Sequence, residues 1–151
     1  MKIKILLSSA IVLIVAGAAQ AQKMPVYKPS RAEIVNAAEF APLSVKKKLA
    51  PCRKSLSQCA FEAMAEVGLE GFGGPEEIHF FEHQFTYRQA GKSIGVFLFS
   101  ILDREENPAH DERTRVEFTR DKNAWRFVRI GQQTRCVNGK KITKWSKSAC
   151  R

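Results

Sequence analysis

The chain has 151 residues and a formal charge of +10, from 25 Lys plus Arg against 15 Asp plus Glu. It is 44% hydrophobic and 26% charged, a globular composition that excludes a disordered, collagen-like or low-complexity protein. The length suits one domain and leaves no room for two.

Lys2 and Lys4 precede an uncharged, mostly apolar run over 5–19, and Ala19-Gln20-Ala21 then offers small residues at a cleavage position. This is the pattern of a secretory signal peptide. The run of 15 residues is shorter than the ~20 a spanning helix needs, so no membrane span is expected. The expectation is a signal peptide over 1–21 and one periplasmic or secreted α+β domain over 22–151.

Residues 22–29 read as an extended arm. Ser30-Arg31-Ala32-Glu33 is a capping box that opens a helix to about Phe40. Pro42 breaks or restarts it, and 43–50 reads as a short helix ending in Lys46, Lys47 and Lys48. Ser55-Leu56-Ser57-Gln58 is a second capping box, starting a helix at Leu56 that ends at Gly68. Gly71, Gly73, Gly74 and Pro75 form a connector to the strand half.

Four cysteines, Cys52, Cys59, Cys136 and Cys150, fall in the exported part. An even count there implies two disulfides, with three pairings open. The local pairing joins Cys52 to Cys59 and Cys136 to Cys150. Within one continuous helix, residues seven apart are about 10.5 Å apart, too far for a disulfide, which needs under about 7 Å. The local pair therefore requires that Cys52 precede the helix, a placement that Pro51 and the Ser55 cap support. Cys136 and Cys150 flank an Asn138-Gly139 turn. The spacings lack the short CxxC pairs that zinc favours, so no metal is expected at them.

From residue 78 the pattern changes to period two. His79, Phe81, His83, Phe85 and Tyr87 share one face of a strand over 78–89. Residues 89–92 make a hairpin turn, and 93–102 is apolar on both faces, as in a covered central strand. Residues 103–112 read as a solvated acidic loop. Arg113–Arg120 and Trp125–Ile130 are strands, with a bulge at Gly131 and a basic final hairpin.

Helices followed by four or five antiparallel strands give an α+β architecture, with N-terminal helices packed on a curved sheet. The segment Trp125–Gly131, with Arg135-Cys136, Trp145 and Cys150, resembles small exported bacterial domains of the cystatin-like or NTF2-like kind. The resemblance spans roughly residues 30–135 by element order. It implies a bent sheet around a helical start and no particular reaction, since such domains include enzymes, binding domains and assembly modules.

His79-Phe80-Phe81-Glu82-His83 matches H-x-x-E-H, a zinc-hydrolase pattern that works only on a helix. On a strand, residues four apart lie about 13 Å apart and Glu82 faces away. The same residues on a strand suggest an aromatic, titratable ligand pocket, weighed against plain core.

The last thirty residues hold nine cations and no Asp or Glu. Among them Arg126, Arg129, Arg135, Lys140, Lys141, Lys144 and Lys147 are the candidate anion-binding set. An anionic envelope component or an acidic protein is the expected partner, with a small-molecule ligand as a further option. Nucleic acid is less accessible in that compartment. The reading is a non-enzymatic binding module without cofactor or metal. The alternative is a small secreted hydrolase, zinc-dependent through His79 and His83 or a metal-free phosphodiesterase.

Overall fold

A computed structural model describes residues 29–69, 79–103, 110–138 and 141–150. Of residues 79, 80, 103, 110, 137, 138 and 141 it describes the backbone alone. The expected signal peptide, the Gly71–Pro75 connector and Lys140 lie outside the described residues.

Two capping boxes start the two helices. In α1, Arg31–Val35, the Glu33 amide donates to Ser30 Oγ and the Ser30 amide donates back to the Glu33 carboxylate. In α2, Leu56–Ala65, Ser55 and Gln58 repeat the exchange. Gly68, at φ +79°, ends α2: its amide bonds Ala65 O and the Leu69 amide bonds Met64 O, a closure that needs a left-handed residue. α1 is shorter than expected. A 3-10 turn at Ala37–Glu39 follows, and Ala41–Pro42 pairs as strand β1. No helix forms over 43–50. The Leu43 amide bonds Ile130 O, and Leu43, Val45 and Leu49 pack on the α2-side core. Tertiary pairing thus overrides local helix preference.

The sheet continues with β2 (His79–Gln89), β3 (Lys92–Asp103), β4 (His110–Asp121), β5 (Ala124–Asn138) and β6 (Lys141–Ile142). All pairings are antiparallel, in the order β1-β5-β4-β3-β2, and β6 extends beside β5. Ala90 and Gly91, at φ 48° and 76°, make the two-residue β2–β3 turn, whose twist requires positive φ at both positions. β4 begins at His110, so the residues expected as the end of a solvated loop are strand. The bulge lies at Val128 rather than Gly131, because Glu117 pairs Arg129 while Phe118 pairs Phe127. It turns Arg129 and Gly131 toward one face and leaves Phe127 on the other.

The two helices cover opposite faces of the sheet. The α2 residues Leu56, Cys59, Ala60, Ala63 and Met64 are buried, at the spacing of one helical stripe. They meet Phe97, Phe99, Val116, Phe118 and Trp125. Phe61 stands edge-on to Phe97, with centroids 5.3 Å apart. On the other face Ile34 of α1 packs on Ile94 and Val96. β3 is therefore apolar on both sides because each side has its own helix. Among the described residues no helix is long and apolar enough to cross a membrane.

Gly95 carries the contact between β3 and Trp125. A Cβ there would lie 2.7 Å from the Trp125 ring and 2.9 Å from Leu56. The ring is rigid and buried, so Gly95→Ala should destabilise the protein by about 1–3 kcal/mol. Ala90→Gly, which relieves a left-handed alanine, should stabilise it by about 1 kcal/mol. Urea unfolding of the two variants against the parent chain measures both.

Candidate functional site

The α1 face of β4 carries four charged side chains at alternate positions. Asp111, Arg113, Arg115 and Glu117 are 0%, 3%, 2% and 5% exposed. Strand alternation puts all four on one side, and the register sets them beside Arg135, Gln133, Gly131 and Arg129 of β5. Buried charge is tolerable only when paired, and partners come from three elements. Arg135 Nε donates to Asp111 at 2.8 Å. Arg113 donates to Gln133 at 2.7 Å and to Glu33 at 2.9 Å. Arg115 donates to Glu117 at 2.6 Å and to the carbonyl of Ile34 at 2.8 Å. Arg129 shares Glu117 at 3.0 Å. Glu33 thus both caps α1 and pins it to the sheet.

The C-terminal segment folds onto this face. The Cys136–Cys150 and Cys52–Cys59 disulfides are the local pairs, with Cα separations of 5.5 and 5.8 Å. Thr134 and Ser146 exchange backbone hydrogen bonds. Trp145 then lies 4.4 Å from the Arg113 guanidinium and 4.5 Å from that of Arg135, a cation–π arrangement.

Two clefts open beside the ladder. One, of about 470 Å³, lies among Glu33, Glu39, Arg113, Arg135, Lys144 and Trp145. The other, of about 320 Å³, has Arg115, Arg129 and Lys147 on its charged side and Phe40, Pro42 and Ile130 on its apolar side. The candidate anion-binding residues are therefore divided. Arg135 and Lys144 line the first cleft; Arg129 and Lys147 line the second. Arg126 is elsewhere, paired with Asp121 at 2.6 Å and beside Lys47 and Lys48. The side chain of Lys141 and all of Lys140 lie outside the described residues. Asp111, Glu117 and Asp121 of β4 supply the counter-charge that the C-terminal thirty residues lack.

His79 and His83 lie four apart on strand β2, about 13 Å along the chain, a separation that one metal ion cannot bridge. Glu82 is exposed, while Phe81, His83, Phe85 and Tyr87 are half-buried, so the alternation is as expected. His83 stacks on Phe85, and Phe85 and Tyr87 pack on the Ile34, Ile94 and Val96 cluster. That end of the stripe serves as core. Arg113 and Arg115 were not in the candidate set; the period-two run Asp111, Arg113, Arg115, Glu117 is the signal that marks them.

No family model matches the chain, no curated protein matches it, and no solved structure matches its fold.

Removing one partner of a buried pair strands the other's charge. Asp111→Ala should cost about 3–5 kcal/mol. Asp121→Ala, which breaks the exposed pair with Arg126, should cost under about 1 kcal/mol. Chemical denaturation midpoints distinguish the two.

Proposed function

We propose that the chain is an exported, non-catalytic binding module whose C-terminal segment faces an anionic partner. The observation that carries it is the charge left after pairing. The arginines of this face are held by Glu33, Asp111 and Glu117. Among the described residues, Lys144 and Lys147 have no carboxylate partner. They stand exposed at the rims of the two clefts. A lysine without a counter-ion costs little in water and attracts an approaching anion. Export is supported by the two disulfides, which persist in oxidising compartments, together with the leader-like 1–21 segment. The fold that accompanies this reading is cystatin-like or NTF2-like. The helical start and antiparallel meander support it; helices on opposite faces depart from a bent sheet that holds its helices on one side.

The partner is anionic envelope material. Replacing Lys140, Lys141 and Lys144 together by Gln should shorten retention on vesicles of anionic lipid and flatten its dependence on salt. Unchanged retention and an unchanged salt slope would refute the reading. Cys136→Ser with Cys150→Ser opens the C-terminal loop and should lower stability by about 3 kcal/mol. It should also expose Trp145, read as a red shift in fluorescence against the buried Trp125.

A further inference from the structure

We propose that the cleft between the Ala37–Pro42 segment and β5 binds a small organic anion, with an oxyanion head on Arg115, Arg129 and Lys147 and a short apolar body against Phe40, Pro42 and Ile130.

The cleft has a charge imbalance that the rest of the ladder does not. Arg135 has Asp111 and Arg113 has Glu33, one carboxylate to each guanidinium. Arg115 and Arg129 share a single carboxylate, Glu117, at 2.6 and 3.0 Å. Lys147 adds a further positive charge at the same cleft. Two charges therefore remain uncompensated beside a volume of about 320 Å³, near the lower end for ligand pockets.

Arg115 supplies the second observation. It is 2% exposed, its Nε and Nη1 are used, and its Nη2 has no hydrogen-bond partner. A buried charged donor left unsatisfied is costly, and a water, an ion or a ligand that reached it from the cleft would relieve that cost. A carboxylate or phosphate oxygen is the acceptor that a guanidinium pairs with best.

The apolar wall is built to close on this cleft. Pro42 pairs with Gly131, and a Cβ at Gly131 would lie 2.9 Å from the Ala41 carbonyl oxygen. Glycine at that position lets the 3-10 segment lie against β5, so that Phe40 and Pro42 wall the space over the cations. Among the described residues no carboxylate lines the cleft. An anion with a small hydrocarbon body satisfies both walls; a neutral alcohol or a bare ion satisfies one.

The test uses the full exported chain with hexanoate, hexyl phosphate, hexanol and acetate, titrated calorimetrically at fixed ionic strength. Binding of either six-carbon anion is expected at least about tenfold tighter than acetate or hexanol, one of which lacks the body and the other the charge. Preference between the two anions names the head group. Lys147→Gln and Arg129→Gln, both at exposed positions, should each weaken binding about tenfold, with circular dichroism checking the fold. Lys144→Gln, in the other cleft, should leave it unchanged. The proposal fails if neither anion exceeds hexanol, if Lys147→Gln binds as the parent does, or if Lys144→Gln abolishes binding. Hexanoate binding that survives in the Lys140, Lys141 and Lys144 variant, whatever that variant does on vesicles, separates this cleft from the envelope-facing role.

Discussion

The outer edge of β5 is the constraint on which the rest of the molecule hangs. An exposed strand edge offers unpaired amides and carbonyls to any other chain, and here the chain itself takes them up. Cys52 exchanges both backbone bonds with Trp125, at 2.9 and 2.7 Å. Leu43 bonds Ile130, Ala41–Pro42 pairs Gly131 and Gln132, Ser146 pairs Thr134, and β6 pairs Val137 and Asn138. Both disulfides anchor here, since Cys52 lies on this edge and Cys136 is in β5 itself. The irregular segments are thus ordered by sheet hydrogen bonds rather than by helices of their own, and both clefts beside the charge ladder are bounded by segments stitched to this edge.

The ladder of Asp111, Arg113, Arg115 and Glu117 is the second element of the design. Burying four charges brings no assured stability, because desolvation can outweigh attraction. What it supplies is register. A shift of β4 by one residue would put Val116 and Phe118 on the charged face and the arginines against Phe97. Glu33 and the Ile34 carbonyl fix α1 by the same charges. Where the pairing is one to one the ladder is a structural clamp. Where two guanidinium groups share Glu117, the same construction leaves positive charge facing a cleft.

This recasts the charge of the whole chain. In the sequence the C-terminal cations stand as a block with no counter-charge. In the fold Arg126, Arg129 and Arg135 of that block lie on β5 beside carboxylates of β4, and the unpaired remainder among the described residues includes Lys144 and Lys147. Among the described residues, those two lysines stand at the rims of separate clefts.

Local features were legible and long-range ones were not. The Ser30 and Ser55 capping boxes, the Gly68 stop, the Ala90-Gly91 turn and the alternation of β2 each depend on residues within a few positions, and each stands as read. The two disulfides both close short loops, yet four cysteines left three pairings open, and the fold selects the local one. The bulge at Val128, the strand at Asp111 and the coil over 43–50 depend on what lies opposite in space. Short-range sterics and hydrogen bonds set the α+β order, the caps and the turns, and these are readable along the chain. The opposite faces taken by α1 and α2, the burial of Asp111 and Arg115, and the division of Arg129, Arg135, Lys144 and Lys147 between separate clefts are settled in three dimensions alone. Those follow from cross-strand register, which brings Arg115 beside Gly131 and Asp111 beside Arg135, neighbours that no local spacing in the chain encodes.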